Sequence, residues 1–153
     1  VIKSISKSYG VPGLRLGILC SADTNLVSKL KKQVSIWNIN SFAEFFMQIY
    51  PKYREDYTLA CKQFIQARED FERELKKIPF IKVMPSQANY FFLEVLPPYK
   101  PIELCALLLE KYNILASACL AKKGIKPNKY MRIAVRNHGD NDKFIQAMKD
   151  LVK

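Results

Sequence analysis

Lys7 stands in the stretch SISKSYGVPGLRLG, residues 4–17, with Ser4 and Ser6 before it, Gly10 and Gly13 after it, and Arg15 eight positions downstream. A lysine that attacks a carbonyl must shed its proton, so it is usually placed where burial or a neighbouring cation disfavours the ammonium form. The serine hydroxyls can donate to an anion, and the planar fork of Arg15 matches phosphate oxygens. Gly10 and Gly13 let the loop turn back and bring Arg15 toward the serines. A covalent amine beside a phosphate clamp is the pairing that pyridoxal phosphate requires, because its aldehyde condenses with lysine and its phosphate anchors the ring.

Other chemistry fits less well. SISK also satisfies the SxxK pattern of penicillin-binding enzymes, but these need an SDN-like and a KTG-like partner. Neither is present, and KKG at 122–124 lacks the hydroxyl. A surface lysine in a serine-rich turn is the plain alternative. The four cysteines, Cys20, Cys61, Cys105 and Cys119, form no CxxC pair and read as buried free thiols. With His138 as the single histidine, no metal site is expected.

The elements that must hold this loop can be read from periodicity. Residues 1–6 alternate apolar and polar side chains and predict a strand, followed by the glycine loop and a second strand at 14–20. DTN at 23–25 offers a cap for a helix to about Gln33, with lysines near its C-terminal end. SFAE at 41–44 matches a capping box, with Ser41 and Glu44 opening a long helix to about Lys77 that Pro51 should kink or split. Its aromatic stripe (Phe42, Phe45, Phe46, Tyr50, Tyr53, Tyr57, Phe64, Phe71) has helical spacing and predicts core. Beyond Pro79, FIKVM (80–84), ANYFFLEV (88–95), NILAS (113–117) and YMRIAV (130–135) read as strands. PIELCALLLEKY (101–112) and the segment from residue 140 onward read as amphipathic helices. The fold class is α/β overall, with an α+β layer at 79–153.

A length of 153 residues and 49% hydrophobic content suit a packed globular chain. No apolar run approaches the roughly 20 residues needed to cross a bilayer, so the reading is cytoplasmic with no membrane partner. The net charge of +11 raises nucleic acid as a partner. However, the basic residues, Lys122 and Lys123 among them, are scattered among acids and no nucleic-acid-reading motif appears, so solvated helix faces are expected.

SISKSYGVPGLRLG resembles the pyridoxal-phosphate lysine signature of class I/II aminotransferases of fold type I, especially the branch of histidinol-phosphate aminotransferases and threonine-phosphate decarboxylases. Three more segments agree in order: WNINSFAE (37–44), PSQANYFF (85–92) and YMRIAVRNHGDND (130–142). The resemblance implies that Lys7 forms the imine and later moves a proton at the substrate Cα. It implies that Ser4 and Arg15 hold the cofactor phosphate, with Ser6 as a helper, and that Arg132 grips the substrate carboxylate. Arg136, four residues on, becomes a second anion clamp suited to a phosphorylated substrate, and Asn38 and Asn89 become substrate contacts. The implied activity is amino-group transfer between an amino acid and a 2-oxo acid. Decarboxylation of a phosphorylated amino acid is the alternative on the same scaffold, and a non-catalytic folding or interaction module is the alternative outside it.

The family's aspartate at the pyridine nitrogen, its ring-stacking aromatic, and its Asn and Tyr at the ring hydroxyl all precede the lysine block, and this chain opens six residues before Lys7. The chain therefore reads as the C-terminal part of such an enzyme. Residues 1–35 would be a remnant of the large cofactor-binding domain, 36–78 a kinked linking helix and 79–153 the small domain. Little activity is expected from this part alone, and a homodimer from the full-length protein.

Overall fold

Apolar alternation at the start of the chain makes a strand only as far as Ser4. In the computed structural model, which describes residues 1–120 and 124–152, strand β1 (Ile2–Ser4) gives way to a single helical turn, α1 (Ile5–Ser8), that carries Lys7. The alternation expected to continue through residue 6 stops because Ile5 and Ser6 both turn inward, 2% and 3% exposed. The second strand is likewise shorter than 14–20. Residues Pro12–Leu14 form a 3-10 turn and Arg15 is left-handed, so β2 covers Gly17–Leu19. β1 and β2 pair antiparallel, with Ser4 opposite Gly17.

Helix α2 (Thr24–Gln33) begins where the sequence predicts, its cap Asp23 accepting from the Leu26 amide at 2.9 Å. Helix α3 (Ser41–Ile49) is capped one residue earlier than the predicted box. Asn40, not Ser41, accepts from the Ala43 amide at 2.9 Å, while its Nδ2 donates to the Leu14 carbonyl at 2.9 Å. Pro51 splits the long helix as expected, leaving a 3-10 turn (Tyr50–Tyr53) before α4 (Arg54–Leu75).

The chain forms two compact units, Val1–Cys61 and Lys62–Lys153. In the second, an antiparallel sheet has the order β3 (Ile81–Val83), β4 (Tyr90–Val95), β6 (Tyr130–Ala134), β5 (Ser117–Ala118). Phe91, Leu93, Met131 and Ile133 point to one face, where they meet Phe71 and Leu75 of α4, Leu104 and Leu108 of α5 (Pro101–Tyr112), and Phe144 and Met148 of α6 (His138–Asp150). Phe71 sits edge-on to both Phe91 and Phe144, with ring centres 5.9 Å apart in each pair. α6 begins at His138 rather than 140 because Asn137 caps it, accepting from the Asp140 amide at 2.8 Å. The strand expected at 113–117 shrinks to Ser117–Ala118, since Asn113 ends α5 in a left-handed conformation and Leu115 lies 82% exposed.

The aromatic stripe is core only in its C-terminal part, where Phe71 is buried; Phe42, Phe45 and Tyr53 are exposed. The thiols are all free, but only Cys119 is buried, and Cys20, just past the end of β2, is exposed. Cys105, on α5, is half-buried, and that burial pushes its thiol up to about 11. Among the described residues no His, Cys, Asp and Glu group could hold a metal, and no helix is long and apolar enough to cross a membrane. Lys122 and Lys123 lie outside the described residues.

Candidate functional site

Ser4, Ser6, Lys7 and Arg15 come together in the first unit because a short strand pair, a helical turn and a 3-10 turn fold back on one another. The Ser6 amide donates to the Leu16 carbonyl at 3.1 Å, and its Oγ accepts from the Leu16 amide at 2.6 Å. The same hydroxyl donates to the Leu16 carbonyl at 3.2 Å. With its donor engaged inside a buried pair, Ser6 fixes the loop rather than offering a hydroxyl to an anion. Gly10, at φ 68, supplies the left-handed residue that closes the turn after Lys7.

The groups left over suit a phosphorylated aldehyde. Ser4 occupies the cap position of α1, yet its side chain makes no capping bond. The Arg15 guanidinium makes one long contact, 3.4 Å to the Pro12 carbonyl. Lys7 is exposed, so the burial expected from the sequence is not supplied within this chain. A hydroxyl, a guanidinium and an amine therefore share one loop, which fits pyridoxal phosphate in donor type.

Asn38 belongs to the same unit and lines a depression of about 540 Å³ with Leu16, Trp37 and Glu44. In the second unit, Arg132 lies on the face of β6 opposite the core, paired across the sheet with Phe92 on one side and Ser117 on the other. Its guanidinium sits over the Tyr90 ring, 5.4 Å from the ring centre. With Ser86, Tyr90, Phe92 and Cys119, it lines a depression of about 500 Å³. The Asn89 carbonyl accepts from the Val135 amide at 2.9 Å, and Asn89 is exposed.

Arg136 is exposed, as the alternation with Arg132 predicts, but it lies beyond the end of β6 and lines a different depression, with Asp140 and Lys143. Its Nε donates to the Asp140 carboxylate at 2.7 Å, and this hydrogen bond holds the Asp140 carboxyl below its ordinary range. The buried Asn141 side chain clasps both the amide and the carbonyl of Arg136, at 2.9 and 3.0 Å. Tyr90 beneath Arg132 and Asn141 behind Arg136 escaped the sequence reading, because strand register and a buried amide bring them there.

A lysine turn between two short strands, followed by an antiparallel α+β unit displaying arginine on its open face, has the fold of part of a fold type I pyridoxal-phosphate enzyme. The family described as aminotransferase class I and II matches residues 1–148, and the chain belongs to it. Enzymes of this family use pyridoxal 5'-phosphate. The chain is 34% identical over 152 residues to the CMP-5'-(3-aminopropyl)phosphonate synthase of Streptomyces rubellomurinus, covering 99% of this chain and 24% of that protein. It is 31% identical to an L-serine phosphate decarboxylase of Campylobacter jejuni, covering 100% of this chain and 39% of that one. The crystal structure of the histidinol-phosphate aminotransferase from Clostridium acetobutylicum superposes with a TM-score of 0.84 at 28% identity, over 99% of this chain and 45% of that chain. The chain thus spans less than half the length of each of these relatives.

Proposed function

We propose that the protein to which this chain belongs acts on a small amino acid bearing a phosphate or phosphonate, and that it removes the α-carboxylate. The observation that carries this reading is the pair of exposed arginines, Arg132 and Arg136, in a chain 31% identical to an L-serine phosphate decarboxylase. Such a substrate carries two anions. A bidentate guanidinium suits each of them, and lysine in the same place would lose the fork geometry.

Pyridoxal phosphate, when bound, supplies the electron sink that weakens the bonds at the substrate Cα. Ser4 donates to a phosphate oxygen of the cofactor and Arg15 pairs with it, while Ser6 keeps both on the loop through Leu16. Arg132 takes the α-carboxylate, with the Tyr90 ring beneath its guanidinium. Arg136 takes the substrate phosphate, exchanging part of its pairing with Asp140. Asn38 and Asn89 complete the substrate contacts. As the bond from Cα to the carboxylate breaks and carbon dioxide leaves, the Lys7 ammonium delivers a proton to Cα.

Transamination is the second reading, supported by the likeness to the histidinol-phosphate aminotransferase structure. In that case Lys7 moves the proton away from Cα and the carboxylate stays. In either case residues 1–35 belong to a larger cofactor domain, 36–78 link it and 79–153 form the small domain. The full-length protein works as a homodimer, and the 153 residues alone bind cofactor weakly.

The test uses full-length protein with pyridoxal phosphate and O-phosphoserine as substrate. Borohydride should fix the cofactor onto the peptide containing Lys7, and carbon dioxide should be released in step with substrate loss. Retention of the label in Lys7→Ala overturns the cofactor assignment. Formation of a 2-oxo acid without carbon dioxide transfers the reading from decarboxylation to transamination.

A further inference from the structure

The turn that carries Lys7 is too short to sustain itself, since a single helical turn fixes more backbone than its hydrogen bonds repay. Helix ends leave carbonyls without intrahelical partners, and here four carbonyls in sequence need donors. The Ile5 carbonyl accepts from the Tyr9 amide at 3.0 Å, the Ser6 carbonyl from the Val11 amide at 3.0 Å and the Lys7 carbonyl from the Gly10 amide at 3.3 Å. The fourth, Ser8, accepts from the Tyr57 hydroxyl at 2.9 Å, across 49 residues of sequence.

Rings reinforce that bond. Tyr9, the residue after Ser8, packs against Tyr57 with centres 4.6 Å apart and edge-on to Tyr50 at 4.7 Å, while the Lys3 ammonium lies 5.3 Å from its ring centre. The neighbouring Cys61 side chain, which favours the protonated phenol, together with burial pushes Tyr57 up to about 12. It therefore keeps its proton, and remains a donor, throughout the neutral range.

We propose that Tyr57 is a positioning residue for Lys7, its hydroxyl anchoring the Ser8 carbonyl and its ring backing Tyr9 so that the lysine turn presents its amine in one direction. The role rests on the reading of Lys7 as the cofactor lysine, and it assigns to the helix after Pro51 a part that the motif around Lys7 does not contain. Tyr57 touches neither cofactor nor substrate in this role. It acts through the backbone of the turn.

The experiment uses the full-length protein and reads three quantities: the rate at which pyridoxal phosphate and borohydride label Lys7, the visible absorbance band of the bound cofactor, and the reaction of Lys7 with an amine-directed reagent in cofactor-free protein. Tyr57→Phe keeps the ring and removes one oxygen. It should slow labelling roughly fivefold, the order of one lost hydrogen bond, and should shift the band and the amine reactivity. Thr58→Ala, which removes a hydroxyl bonded at 2.9 Å to the Arg54 carbonyl on the same helix, should label at the wild-type rate. Wild-type labelling and an unshifted band in Tyr57→Phe overturn the positioning role while leaving the cofactor reading intact. Undiminished labelling in Lys7→Ala overturns both. If Tyr57→Phe does not fold, Tyr9→Leu removes the ring beneath the phenol; slower labelling there supports the role and wild-type labelling overturns it.

Discussion

Residues 62–153 fully bury Phe91, Leu93, Leu104, Leu108, Met131 and Met148, whereas residues 1–61 bury Ile5 and Ala43 and leave Trp37 91% exposed. The second unit rests on apolar area removed from water, at roughly 25 cal/mol per Å². In the first, point contacts stand beside the packed rings of Tyr9, Tyr50 and Tyr57: Ser6 to Leu16, Asn40 to Leu14, Asp23 to Leu26 and Tyr57 to Ser8. Each such bond adds only about 0.5–1.5 kcal/mol. The comparison teaches that the lysine loop is specified by directional bonds, which fix geometry, while the sheet that displays Arg132 is specified by packing, which fixes stability.

That contrast can be broken by mutation. Phe91→Ala should cost about 3–5 kcal/mol, because it leaves a cavity between Phe71 and the sheet; urea denaturation followed by far-UV circular dichroism reads it. A cost below about 1 kcal/mol would remove the basis for calling 62–153 a packed unit. Ser6→Ala should cost about 1–3 kcal/mol by leaving the Leu16 amide without its partner. Amide exchange should speed up at Leu16 and stay unchanged at Phe91; equal acceleration at both sites would mean that the units share one cooperative core.

The smallest effect concerns Glu94, whose carboxyl is held below its ordinary value by a hydrogen bond from Lys129 at 2.6 Å. A depressed carboxylate stabilises the fold above its unfolded value, and the contribution is lost as pH falls through the folded one. The Lys129 ammonium is raised by the same bond, so its share is present below its unfolded value and is lost as pH rises through its raised folded value. Glu94→Gln should therefore flatten the acid side of the denaturation midpoint plotted against pH. An unchanged slope would show that the pair adds nothing in solution.

Local chemistry made much of this readable in advance. The Asp23 cap, the α5 helix over 101–112, the break at Pro51 and the alternation of β4 and β6 each depend on residues within a turn or two of one another. The cap of α3 moved to Asn40 because its amide could also reach the Leu14 carbonyl, 26 residues away, which no local pattern records. Spacing makes Phe42 and Phe45 look like core, but periodicity shows only that residues share a face, not what covers it. In the site, the Lys7 and Arg15 spacing was visible because one loop holds both. Tyr57 and Tyr90 were not, since each meets its partner through tertiary contact or strand register.

Arg15 holds φ 50 and ψ 43, a left-handed conformation that costs a residue with a Cβ roughly 1–2 kcal/mol and glycine almost nothing. Selection for a durable loop alone would favour glycine there, whereas selection for a grip on phosphate favours the strained arginine. Under the proposed function, the two pressures pull one codon in opposite directions. Among descendants of this gene, glycine at position 15 would mark lineages that have given up the reaction while keeping the fold.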